Sequence, residues 1–352
     1  LASVMLMGMM VVGTSAASFP DVDDNDNIEA IDVLETVEVM IGNENGDFEP
    51  DKNVTRAEMA VVMAKLLNLD YNYYVTSCPF DDVPEWARGY VGACAANGIV
   101  SGRGEGVYDP NATVTAVEAA SMMMRALGYF KNSGDYSPNF ESATVRQASE
   151  ISLFSGIGGN ATAPLNRNQV AQLALNALEA RMVYFTGDMG FEMPGVGNVG
   201  YRTEYTFRTG SETKYNAIVE DGGKSSVGIE GQYYVQLGEQ LYDGDLKKLA
   251  STDVFDRPAT KWTYKTKEIG VYADTPDFVF TTAASGDTAA DKVKSMDLKG
   301  LTWDGVYYEN GRSASVSGAD SAARLEVLAD KIAADGVLIE VFMDNSRANT
   351  IG

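Results

Sequence analysis

The feature that most constrains this chain is an internal repeat. Phe19-Pro20-Asp21-Val22 returns as Phe80-Asp81-Asp82-Val83, and Gly46-Asp47-Phe48-Glu49-Pro50 returns as Gly106-Val107-Tyr108-Asp109-Pro110. Val54-Thr55-Arg56-Ala57-Glu58 returns as Val114-Thr115-Ala116-Val117-Glu118, at an offset of 60 residues. A weaker third copy, Pro164-Leu165-Asn166-Arg167-Asn168-Gln169, stands 51 residues further on. Three features in one order, at offsets of 61, 60 and 60 residues, mark a repeat architecture, in which each copy buries too little surface alone and must pack on its neighbours.

Each copy reads as helix, glycine loop, helix. In the stretch 86–96, Ala87, Tyr90, Val91 and Cys94 fall at helical spacing. Asn97-Gly98 ends that helix, because glycine accepts the left-handed conformation beyond a helix C-terminus. After the Gly104-Glu105-Gly106 turn and Pro110, Thr115 and Glu118 form a capping box that opens a second helix carrying Met122, Met123, Ala126 and Leu127. Thr55 and Glu58 form the same box in the first copy, ahead of Met59, Val62, Met63 and Leu66.

Composition removes several function classes. The chain has 27 Lys plus Arg against 50 Asp plus Glu, a formal charge of −23, and no His. That balance repels nucleic acid and anionic membranes, and it suits an exposed soluble protein. Without His the commonest general base and metal ligand are gone, and two cysteines cannot complete a four-ligand zinc site. Neither a metal nor a cofactor is expected. Residues 4–12, VMLMGMMVV, followed by Gly13-Thr14-Ser15-Ala16-Ala17, read as a secretory leader over 1–17 whose basic start is cut away. No later segment is long and apolar enough to be expected to span a membrane in the mature chain.

The FPDV/FDDV start, the Trp86-Ala87 helix, the Ile99-Val100-Ser101-Gly102 stretch, the G-x-[FY]-x-P loop and Val-Thr-Arg-Ala-Glu together resemble the S-layer homology (SLH) family. The resemblance covers residues 18–184. It implies an all-α N-terminal half of three tandem helix-loop-helix repeats in a pseudo-threefold bundle, with repeats at 18–75, 76–132 and 133–184. It also implies an extracellular protein held noncovalently on the cell wall by secondary cell wall polysaccharide, often pyruvylated, with other surface-layer subunits as further partners. Carried over by motif, Arg56 is the expected polymer contact and Arg167 its counterpart in the third copy, while Ala116 breaks the pattern in the second. The chemistry agrees: a pyruvyl ketal bears a carboxylate, which guanidinium binds through two parallel hydrogen bonds. Trp86 keeps the family's helix aromatic, and is expected either at the buried centre of the bundle or against sugar.

Other features stay open. Residues 21–27 imitate a calcium loop, but Asp26 stands where glycine belongs and Asp32 where glutamate belongs, so a solvated acidic loop is expected. Cys78 and Cys94 fit a disulfide in an exported protein, and Cys94 also fits a buried thiol on an apolar helix face. Residues 185–200, rich in Gly and Met, read as a linker. Beyond it, period-two patterns at 201–207, 261–265, 270–273, 278–281, 306–308 and 337–343, with one amphipathic helix near 321–333, predict a β-rich domain over 201–352 and an α+β chain overall. No nucleophile, phosphate-loop or dinucleotide motif is present, so the chain is not expected to be an enzyme. The alternative is a wall-anchored polysaccharide-acting enzyme whose catalytic part lies in the C-terminal region or outside this chain.

Overall fold

The computed structural model describes residues 19–131, 133–136, 139–193, 197–219, 229–254 and 257–276, with the short pieces 278–280, 302–303, 307–309, 312–314, 323, 339–341, 343–344 and 350–351. The leader expected over 1–17 lies outside them, as does all but one residue of the helix expected near 321–333. The chain divides into two compact units. One comprises Leu1–Leu249 with Lys261–Val271, the other Ala250–Thr260 with Tyr272–Gly352.

The first unit begins with six helices: α1 (Ile28–Thr36), α2 (Arg56–Leu66), α3 (Glu85–Ala96), α4 (Ala116–Leu127), α5 (Phe140–Glu150) and α6 (Arg167–Glu179). α2 packs on α3, α4 on α5, and α6 returns to α1. The buried side chains between them include Ile31, Leu34, Met59, Met63, Met123, Leu127, Leu173 and Leu178. The three helices that follow loops start alike. Thr55 with Glu58, Thr115 with Glu118, and Asn166 with Gln169 each form a reciprocal capping box.

The residues just before these helices join in a closed cycle of backbone hydrogen bonds. Val54 N–H donates to Leu165 O at 2.9 Å, Leu165 N–H to Val114 O at 3.0 Å, and Val114 N–H to Val54 O at 2.9 Å. The first free amides of each helix then turn to a neighbouring loop, satisfying donors that have no partner inside the helix. Arg56 and Ala57 donate to Ala112 O and Pro110 O, Ala116 and Val117 to Ala163 O and Ala161 O, and Arg167 and Asn168 to Lys52 O and Pro50 O.

The aspartate of each Phe-x-Asp-Val start has a defined task. Asp21 accepts Phe48 N–H and Glu49 N–H, each at 2.7 Å, through its two oxygens. Asp82 accepts Tyr108 N–H at 2.8 Å and Asp109 N–H at 2.7 Å in the same way. Phe19 lies on Phe48 and Phe80 on Tyr108, with ring centroids 5.3 and 5.2 Å apart. The third copy lacks that aspartate and holds its loop otherwise: Asn176 Nδ2 donates to Leu153 O and Ser155 O, and Gln169 Nε2 to Ile157 O.

The chain then forms β1 (Val183–Met193) and β2 (Gly197–Phe207), an antiparallel hairpin. The linker expected at 185–200 is corrected here: ladder hydrogen bonds use backbone groups, so glycine-rich composition does not prevent pairing. After β3 (Thr209–Gly210), β4 (Tyr233–Tyr234) and α7 (Leu237–Tyr242) come β5 (Leu246–Thr252), β6 (Pro258–Tyr264) and β7 (Lys267–Ala273), a three-stranded sheet in that order. In the second unit Phe278–Phe280 pairs antiparallel with Ile339–Val341, and Tyr307–Glu309 with Arg312–Ala314. Helices concentrated in the N-terminal half and small sheets in the C-terminal half make the chain α+β.

Candidate functional site

The expected binding arginines sit at two of the three loop-to-helix junctions, and the junctions differ sharply. Arg56 enters the junction between α2 and the loop before α4, and only 4% of it is exposed. Its Nε donates to Tyr108 O at 3.0 Å, Nη2 to Ser101 O at 3.0 Å and Nη1 to Glu118 Oε1 at 3.1 Å. The guanidinium lies 4.6 Å from the centroid of the buried Tyr108 ring, whose hydroxyl donates to Arg56 O. Arg103 closes the outside of this cluster, bonding Glu118 at 3.0 Å and pairing with Asp109. Desolvation pushes the Glu118 carboxyl up, but the Thr115 amide, Arg103 and Arg56 outweigh it and hold the group below its ordinary value. The Arg56 expected to face a polymer is therefore a buried tie between the first two copies. Its fork is filled by carbonyls and a carboxylate of the protein itself.

At the second junction Ala116 is buried and brings no charge. At the third, Arg167 Nε donates to Phe48 O at 2.6 Å and Nη2 to Ile41 O at 2.8 Å, with the guanidinium 4.6 Å from the Phe48 ring centroid. Unlike Arg56, this residue is partly exposed, and among the described residues no carboxylate stands within 4.0 Å of it. Burial lowers its pKa, opposed by Glu58, Glu49 and Asp21 at longer range. A half-desolvated guanidinium with no ion-pair partner can receive an anionic group through charge-assisted hydrogen bonds.

Trp86 lies in the first turn of α3 and is 57% exposed, so its expected burial at the bundle centre is corrected. Neighbouring positions on α3 lie about 100° apart, and Ala87, Val91 and Cys94, spaced one turn from each other, take the core side. Beside α3 lies a 3-10 turn, Tyr71–Tyr74, that sequence reading missed. It fits because Gly89 and Gly92 have no side chain: a Cβ there would come within 2.6 Å of Tyr71 O and 2.9 Å of Tyr74 O. Tyr71 stacks on Tyr90 at 4.1 Å, and Tyr73 is 76% exposed.

Cys78 and Cys94 are free thiols, which corrects the disulfide. The Cys78 backbone abuts α3 at Gly92, and residue 94 lies roughly 200° further round the helix. Cys94 is fully buried with Sγ 3.4 Å from Ala60 O, and burial pushes its pKa up to about 12. In the acidic loop, Asp23 accepts Asn25 N–H at 2.8 Å and Asp26 accepts Asp23 N–H at 3.0 Å, a self-contained turn. Among the described residues no three His, Cys, Asp or Glu side chains group to hold a metal ion, and no helix is long and apolar enough to cross a membrane.

The S-layer homology domain model matches residues 18–60 and 79–120, the two copies whose Phe-x-Asp-Val aspartates pin their loops. The chain carries two S-layer homology domains. It is 33% identical over 128 residues to the S-layer protein of Bacillus thuringiensis subsp. finitimus, covering 36% of this chain and 16% of that one. To the cell surface protein of Thermoanaerobacter kivui it is 26% identical over 238 residues, covering 63% and 30%. To the exoglucanase XynX of Acetivibrio thermocellus it is 30% identical over 181 residues, covering 47% and 16%. The chain thus spans less than a third of the length of these curated relatives. Its SLH repeats and its surface-layer relatives mark it as an extracellular, cell-wall-associated surface protein.

Proposed function

We propose that this chain holds itself on the cell wall by noncovalent binding of a carboxylate-bearing secondary cell wall polysaccharide, with its three copies acting as one pseudo-threefold bundle. The observation that carries the proposal is the contrast between two equivalent arginines. Arg56 is spent on internal partners, whereas Arg167 is partly exposed and, among the described residues, has no carboxylate within 4.0 Å. A chain of charge −23 has no long-range attraction for an anionic polymer, so a local, shielded guanidinium is the means left to it. The exposed Trp86 ring offers an apolar face for sugar stacking. The closed hydrogen-bond cycle through Val54, Leu165 and Val114 supports a three-copy unit, although the family model matches two. The role is attachment rather than catalysis, with other surface-layer subunits as neighbours. Cosedimentation tests it: the chain pellets with native walls and stays in solution with walls stripped of polysaccharide. Equal pelleting with both would overturn the reading.

A further inference from the structure

Four links run from the strand region after α6 back onto the repeats. The Trp262 side chain is fully buried, and its Nε1 donates to Glu29 Oε1 on α1 at 2.6 Å. Lys248 Nζ bonds Glu179 Oε1 at the end of α6 at 2.8 Å, and stands 5.6 Å from the Trp262 ring centroid. Leu237 N–H donates to Ala180 O at 3.1 Å, and Met182 N–H to Val235 O at 2.8 Å.

Trp262 and Lys248 therefore grip α1 and α6, the pair through which the third copy returns to the first. That seam holds Arg167. Asn27, the residue before α1, donates its N–H to Asn168 Oδ1 at 2.8 Å, and Arg167 N–H donates to Lys52 O at 3.0 Å. From Trp262 to the arginine the path is short: Glu29, the first turn of α1, Asn27, Asn168, Arg167. The first and last copies share no direct chain connection, so their seam closes only through side chains and backbone contacts formed late in sequence.

We infer that residues 246–249 and 261–264 form a strap that completes the wall-binding module, with Trp262 as a positioning residue for Arg167. This rests on the polysaccharide reading above. The module then extends past residue 184, and the strand region is part of the anchor itself.

The test uses the full chain with Glu29→Ala and, separately, Trp262→Phe, which keeps an aromatic ring but removes the indole N–H. Hydrogen exchange is followed at Asn27 and Arg167, with Val114 and Tyr108 as references, and wall binding is measured alongside Arg167→Ala. Loss of one hydrogen bond to a charged group should speed exchange at Asn27 and Arg167 about ten-fold, leave the reference amides unchanged, and weaken wall binding. Unchanged exchange at Asn27 and Arg167 overturns the strap. So does faster exchange with intact wall binding when Arg167→Ala abolishes binding. If Arg167→Ala also leaves binding intact, the polysaccharide site is wrong and the faster exchange still supports the strap. Should Trp262→Phe fail to fold, Glu29→Ala carries the test, since it leaves the buried ring in place.

Discussion

Replacing Arg56 by alanine separates a structural arginine from a binding one. The change removes three hydrogen bonds, one of them to Glu118, and leaves Tyr108 O and Ser101 O without their donor in a buried junction. It also empties the space over the Tyr108 ring. Breaking a buried ion pair by deleting one partner costs about 3–5 kcal/mol. Glu118 retains Arg103 and a side chain 20% exposed, so the lower end, about 3 kcal/mol, applies. With a urea m-value of about 3 kcal/mol/M, the unfolding midpoint should fall by roughly 1 M. Far-UV circular dichroism and tryptophan fluorescence would follow the transition. Arg56→Lys should recover only part of the loss, because an ammonium cannot serve Glu118 and two carbonyls in the fork geometry. In buffer without denaturant, where Arg56→Ala remains folded, it should still pellet with walls. An unchanged midpoint together with lost wall binding would refute the assignment of Arg56 as an internal tie.

Asp82→Asn should loosen the loop carrying Tyr108 and Asp109, measured as faster amide exchange at those two residues near neutral pH. Desolvation raises the Asp82 pKa, but the Tyr108 and Asp109 amides and Arg56 more than offset it, so the folded value lies below the unfolded one. The stability from this carboxylate is therefore present above about pH 4 and lost as pH falls through the depressed value, so wild type and variant should converge in acid. Trp86→Ala should leave the urea midpoint within the equivalent of about 0.5 kcal/mol, as expected for an exposed side chain, while weakening wall pelleting. A large stability loss would mean that the ring is buried after all.

What the sequence disclosed was local. Thr55, Glu58, Thr115 and Glu118 cap their helices as three-residue spacing implies, and Gly98 takes the positive φ of +69° expected past the end of α3. The repeats were legible because each motif answers to a partner within about thirty residues, as Asp82 answers to Tyr108. Contacts across copies left no such pattern. The fate of Arg56 depends on Ser101 and Tyr108, 45 and 52 residues away, and nothing near Arg56 distinguishes a filled fork from an open one. Trp262 reaches Glu29 across 233 residues, so its strand pattern announced a sheet but not the helix beneath it. The Phe-x-Asp-Val aspartates could have been found from sequence: they recur, within one residue of the same offset, with the loop whose amides they accept.

In the proposed function the guanidinium of Arg167 receives the polysaccharide carboxylate. Titration calorimetry of the full chain with purified wall polysaccharide, comparing wild type, Arg167→Ala and Arg56→Ala, tests it most directly. One charge-assisted hydrogen-bond pair lost should weaken binding by roughly 1.5–3 kcal/mol in Arg167→Ala, about ten-fold or more. Arg56→Ala should bind as wild type does at a temperature where it is folded. Wild-type affinity in Arg167→Ala, or a loss confined to folded Arg56→Ala, would contradict the account.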